Sequence, residues 1–202
     1  MHDTATHSSA LAQVAAAPLS SSTTTAAIDD PEAIVLVDEQ DRPVGYAPKL
    51  PPHEEGGRLH RAFSVFLFDR GGRMLLQRRA AGKYHFAGRW TNACCSHPRR
   101  DQPVAAAAAA RLRFEMGIEA PIVPLLTFTY RAHDPASGLT EHEFDHVFAG
   151  AFDGAPAPNP AEVSDWRWAD PPALRADVAA RPDRYTPWFR IVLDRVLRHR
   201  GA

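Results

Sequence analysis

Cysteine is almost missing from this chain: among 202 residues only Cys94 and Cys95 carry thiols, and they are neighbours. A disulfide between adjacent residues is strained and closes no useful loop, which excludes a stapled secreted domain and points to a reducing cytoplasm. Also missing is any run of about 20 apolar residues, the length a bilayer span needs. The first 30 residues hold no Lys or Arg, so they lack the basic start of a secretory signal and the Arg-rich character of a transit peptide. Charge of one sign is not in excess either. Lys plus Arg number 23 against 24 for Asp plus Glu, which is nothing like the basic footprint of a nucleic-acid binder.

What remains is a soluble globular balance, 45% hydrophobic and 23% charged, at a length that suits one domain with some appended chain. Any anionic ligand must therefore be met by a local cluster of cations. Residues 1–30, rich in Ala, Ser and Thr, are expected to form a disordered tail, because such composition buries too little surface to offset ordering entropy. The folded domain is expected over 31–202.

The run AIVLV (33–37) and the segment VGYAP, separated by DEQDRP, predict a hairpin. A second hairpin is predicted from Ala62–Phe68 and Met74–Gln77 around DRGGR, with Gly71 and Gly72 both supplying positive φ. Residues 103–118 predict a helix, opened by Pro103 and ended by Gly117. Strands are expected over 122–131, 143–152 and 165–168, a turn at DPASG, a Pro-rich loop at GAPAPNPAE, and helices near 171–180 and 187–199. Strands, a helix, more strands and terminal helices, without regular βαβ alternation, read as one mixed α/β (α+β) domain.

In EHEFD, Glu141 and Glu143 stand at i and i+2, so on a strand they share one face and repel unless a cation, a proton or solvent intervenes. A metal would satisfy them; so would a solvated face with Asp145 alongside and Phe144 buried. His142 and His146 fall on the opposite face and read as packed or hydrogen-bonded residues. His97 follows the two thiols in TNACCSHP, yet two adjacent cysteines make a closed structural zinc site a poor fit.

The segments LHRAFSVFLFD, LLQRRAAGKYHFAGRWTNACCSHP, RLRFEMG, YRAHDP, EHEFD and YTPWF, in this order, resemble those of the type I isopentenyl-diphosphate isomerases, over roughly residues 33 to 195. That family lies within the Nudix superfamily, so the resemblance implies a Nudix-like fold with a central mixed β-sheet flanked by helices. The Nudix hydrolase signature, anchored on Gly117, fails here: its glycine falls on Ser96, its first Glu on Gln102, its Arg on Ala110, its next Glu on Arg111, and of its paired Glu residues one is Phe114 and only Glu115 remains. Too few carboxylates are left to hold metals and activate water, which disfavours the alternative of a Nudix pyrophosphohydrolase with a degenerate motif.

The resemblance implies His53, His60, His97, Glu141 and Glu143 as ligands of a catalytic Mn²⁺, Fe²⁺ or Zn²⁺, a choice that ligand type does not settle. It implies Glu115, with the Cys95 carbonyl, for a Mg²⁺ on the substrate diphosphate, and Lys49, Arg79, Lys83 and Arg111 as the cations that bind that diphosphate. Arg111 also stands at i−4 from Glu115 and so shares its helix face. Cys95 and Glu143 are the implied acid–base pair, with Tyr130 relaying a proton and Trp188 shielding a carbocation. Composition and spacing alone leave the cations as surface charges and the two aromatics as core residues. His85 and Phe86 fall where the family varies, apart from the implied ligands. The expected partner is a small isoprenoid diphosphate, with no nucleic acid or membrane, and the expected state is a cytoplasmic monomer, a dimer being the second choice.

Overall fold

Strand β3 (His60–Phe68) is the hub of the sheet, and its sequence explains why. In HRAFSVFLF alternate residues go to opposite sides. Phe63, Val65 and Leu67 enter one apolar cluster, and Phe66 and Phe68 enter another. A strand apolar on both faces must be covered on both. The computed structural model describes residues 32–54 and 56–199; the tail expected over 1–30 lies outside them.

The remaining strands are β1 (Ile34–Val37), β2 (Pro43–Ala47), β4 (Met74–Arg79), β5 (Trp90–Thr91), β6 (Cys94–Ser96), β7 (Ile122–His133), β8 (Thr140–Ala151) and β9 (Val163–Ala169). They form one mixed sheet in the order β2-β1-β3-β4-β5, with β6 and β8 also on β3, β7 on β8 and β9 on β4. β3 runs parallel to β8 from His60↔Glu143 to Phe68↔Ala151; the other named pairings are antiparallel.

Helix α1 (Val104–Met116) covers the face with Phe63, Val65 and Cys94, turning Ala107, Ala108, Leu112 and Met116 inward. Gly117 ends it at φ 65°, and a Cβ there would lie 2.6 Å from the Ala157 carbonyl oxygen, so glycine is required twice over. Helix α2 (Pro171–Ala180) starts on Asp170, whose side chain accepts from the Ala173 N–H at 3.3 Å, an ordinary N-cap. Helix α3 (Pro187–His199) buries Trp188, Phe189, Val192, Leu193, Val196 and Leu197, the stripe of an amphipathic helix, against the face with Phe66, Leu76 and Tyr130.

The mixed α/β class stands, and the second hairpin is corrected. β3 and β4 meet only at Phe68↔Met74; beyond the turn β4 leaves to pair with β5 and β9. Of the two turn glycines only Gly72 has a positive φ, 80°. The short strands β5 and β6 were not anticipated, since two or three residues carry no periodicity.

Candidate active site

β6 settles which face each thiol takes. Its antiparallel pairing with β3 sets Cys94 against Val65 and Cys95 against Ser64, and neighbours on a strand point to opposite sides. Cys94 is wholly buried in the α1 cluster, while Cys95 packs against the α3 cluster. On β8 the same alternation sends Glu141, Glu143 and Asp145 inward and leaves Phe144 half-buried. The solvated face that the pattern also allowed is therefore excluded, with all three carboxylates buried.

Those carboxylates need partners, because an unpaired buried charge is costly. His53, from a short 3-10 turn at Pro51–His53, and His60, which starts β3, place their ring Nδ1 atoms 2.7 Å from the carbonyls of Lys49 and Arg58. A carbonyl can only accept, so each Nδ1 carries a proton, and in the neutral ring each Nε2 is left to offer a lone pair inward. His60 Nε2 lies 3.1 Å from His97 Nε2, His97 Nε2 lies 2.9 Å from Glu143 Oε1, and His53 Nε2 lies 3.1 Å from Glu141 Oε2. Both His53 Nε2 and Glu141 Oε2 are buried with no hydrogen bond among the described residues. The ligand atoms of His53, His60, His97 and Glu141 all fall within 4.8 Å of one another. Converging lone pairs with orphaned atoms among them suit a cation, and this cluster could hold a metal ion.

Tyr130, opposite Glu143 on β7, donates from its hydroxyl to Glu143 Oε2 at 2.5 Å. Burial and the Glu141 repulsion push the Glu143 pKa upward, but the hydrogen bonds to His60 and His97 outweigh them and hold it below the usual range. Burial pushes the Cys95 thiol up to about 12, against the opposing pull of Arg79, whose Nη1 is 4.0 Å from the sulfur. Burial also drives His97 down to about 3, so it is a neutral donor of electrons. Trp188 Nε1 donates to Asn92 Oδ1 at 3.2 Å, and Asn92 Nδ2 donates to the Val65 and Cys94 carbonyls, which ties the indole to β3 and β6.

The cations gather at the other end. Arg111 donates from Nε to Glu115 Oε1 at 2.6 Å and from Nη2 to Glu162 Oε2 at 2.8 Å. Lys83 pairs with Glu162 and lies 3.7 Å from Glu115. Glu115 Oε2 accepts from Gln77 at 2.8 Å. Arg79 is buried with its guanidinium 5.5 Å from the Trp188 ring centre, and Lys49 is exposed with Nζ 5.1 Å from that of Tyr84. Cys95, Glu141, Glu143, Tyr130, Trp188, His97 and the four cations line one cavity of about 30 Å³; His53 and His60 approach Glu141, and Glu115 pairs with Arg111.

Tyr84, His85 and Ser96 also line the cavity, and Glu162 bridges its cations, none of them marked by local sequence pattern. Glu162 sits in the stretch read as a Pro-rich loop, with nothing local to mark it. His85, expected to stay clear of the ligands, bonds through Nε2 to Glu141 Oε1; that expectation is corrected.

The sheet between two helical layers defines a Nudix-fold protein, with a His/Glu cluster on β8, on β3 and on the approach to it in place of a run of helix carboxylates. A NUDIX domain model matches residues 58–189. A Deinococcus radiodurans protein superposes with TM-score 0.67 at 23% identity, over 81% of this chain and 98% of that one, a likeness that bears on the fold. This chain is 51% identical over 166 residues to Isopentenyl-diphosphate Delta-isomerase 2 of Aromatoleum aromaticum, covering 82% of this chain and 87% of that one. It is 50% identical over 161 residues to Isopentenyl-diphosphate Delta-isomerase of Nocardia farcinica, covering 80% and 92%. The chain belongs to the isopentenyl-diphosphate Delta-isomerase family.

Proposed function

We propose that this protein interconverts isopentenyl and dimethylallyl diphosphate by protonating and deprotonating the five-carbon chain through a tertiary carbocation. The observation that carries the reading is the convergence of Cys95 and Glu143, 48 positions apart in sequence, on one cavity walled by Trp188 and Tyr130 and flanked by a metal-ready cluster. An alkene has no acidic handle, so one wall must deliver a proton to the terminal carbon while the other removes one from the allylic carbon. The bond shifts and no atom is lost. Cys95 and Glu143 supply those two walls, and they exchange roles in the reverse direction. Tyr130 holds the Glu143 oxygen that faces away from His97 and relays its proton. The Trp188 face stabilises the cation and excludes water.

We assign His53, His60, His97, Glu141 and Glu143 to Mn²⁺, Fe²⁺ or Zn²⁺, which when bound holds Glu143 in place and tunes its basicity. Glu115 is assigned to a Mg²⁺ carried by the substrate diphosphate, and Lys49, Arg79, Lys83 and Arg111 to the diphosphate itself. The isomerase domain is assigned to residues 31–202, acting as a monomer in the cytoplasm. Among the described residues no helix is long and apolar enough to cross a membrane.

Incubation with isopentenyl diphosphate beside a panel of nucleotides tests the reading. An allylic diphosphate and no released phosphate is the expected result; nucleotide monophosphate or free phosphate would return the chain to pyrophosphate hydrolysis.

A further inference from the structure

Glu141 has two oxygens with different neighbours. Oε2 lies 3.1 Å from His53 Nε2 and 3.7 Å from His60 Nε2, inside the metal cluster. Oε1 points out of it and is met by His85 Nε2. An ionised carboxylate can only accept, so His85 carries its proton on Nε2 and donates. Terminal carboxylate torsions are broad and roughly two-fold; a donor fixed on one oxygen selects the angle at which the other is offered.

We propose that His85 is a positioning residue for the metal cluster, holding Glu141 Oε1 so that Oε2 faces His53 and His60. The inference rests on the metal-dependent reading above and extends it to a histidine outside its ligand set.

The backbone around His85 is built for this contact. Phe86 adopts φ 47°, a left-handed conformation that bulky residues avoid. Its N–H donates to Asp134 Oδ2 at 2.8 Å. Arg79 donates from Nη2 to the His85 carbonyl at 3.0 Å and from Nε to the Phe86 carbonyl at 3.2 Å. Side chains from β4 and from the β7–β8 turn thus clamp a turn that would otherwise relax, and the clamp delivers one imidazole onto one carboxylate oxygen. The His85 ring lies 5.7 Å from that of His53 and 6.4 Å from that of Trp188, between the cluster and the aromatic wall. A histidine that only filled space would need neither the clamp nor the donor.

Losing an outer partner of a ligand typically lowers metal affinity about 10- to 100-fold. The test uses the full chain, stripped by a strong chelator and titrated with Zn²⁺ against a chromophoric chelator, with unfolding midpoints taken alongside. His85→Leu, which fills the space without a donor, is expected to lose about 10- to 100-fold in Zn²⁺ affinity. His85→Gln, which keeps an N–H donor, is expected to recover most of it. Wild-type affinity in the leucine variant overturns the proposal, as does a glutamine variant as weak as the leucine one. Should the leucine variant fail to fold, the glutamine variant decides: near-normal affinity supports positioning by a donor, and a loss as large as that expected for leucine overturns it. A wild-type protein that takes up no Zn²⁺, Mn²⁺ or Fe²⁺ would overturn the metal-dependent reading itself, and this inference with it.

Discussion

The two ends of the cavity solve opposite problems with opposite construction. At the His/Glu end, short side chains on strands and a tight turn are held by fixed partners: the Lys49 and Arg58 carbonyls hold the His53 and His60 rings, and the Tyr130 hydroxyl holds Glu143. At the cation end, long Lys83 and Arg111 side chains, partly exposed, lean on Glu115 and Glu162. In the proposed function a resident ion would reward groups already in place, whereas a substrate that arrives and leaves needs cations able to exchange one anionic partner for another. Carboxylate-paired cations also avoid repelling one another between turnovers.

That contrast fails or sharpens under substitution. The largest effect is expected at the rigid end: Cys95→Ala or Glu143→Gln should lower kcat by about 10²- to 10⁴-fold, with little change in KM and a native unfolding profile. Near-normal turnover in both variants would contradict the acid–base assignment. At the other end, Lys83→Ala removes a charged contact worth about 1.5–3 kcal/mol, so KM should rise by tenfold or more while kcat holds. A kcat defect without a KM change would erase the distinction between the ends.

The smallest effect concerns stability and pH. Burial works to raise the Glu162 pKa, but the Lys83 hydrogen bond and the charges of Lys83 and Arg111 prevail and lower it. A group whose folded pKa is depressed contributes stability above its unfolded value, about 4.5, and loses that contribution as pH falls through the folded value. For a partly solvated pair the contribution is about 0–1 kcal/mol. Glu162→Gln should therefore melt slightly below wild type at pH 7, the gap closing as pH drops below 4.5. A gap that widens toward acid would reverse the sign of the argument.

The sequence allowed some of this to be read and hid the rest for physical reasons. Glu141 and Glu143 at i and i+2, and Arg111 with Glu115 at i and i+4, are pairings that element geometry guarantees once strand and helix are assigned. Which face of β8 is buried is not guaranteed by spacing; it follows from parallel pairing with β3, a contact some 80 residues away in sequence. The choice between Cys94 and Cys95 came from resemblance alone, and the register of β6 against β3 supplies its cause. Spacing does not reveal the His85 contact, because it depends on a left-handed turn at Phe86, a non-glycine residue, held by nearby Arg79 and by Asp134 from the β7–β8 turn. Glu162 lies in a segment whose prolines read as a loop. Local periodicity reveals elements; it does not reveal what a distant side chain clamps.

In the proposed reaction a proton enters the hydrocarbon from one wall of this cavity and leaves to the other. Conversion of isopentenyl diphosphate in deuterated water, followed by NMR of the product, measures that directly. Deuterium in the methyl groups of dimethylallyl diphosphate is the predicted result. An allylic product formed at full rate with no deuterium in it would contradict the account.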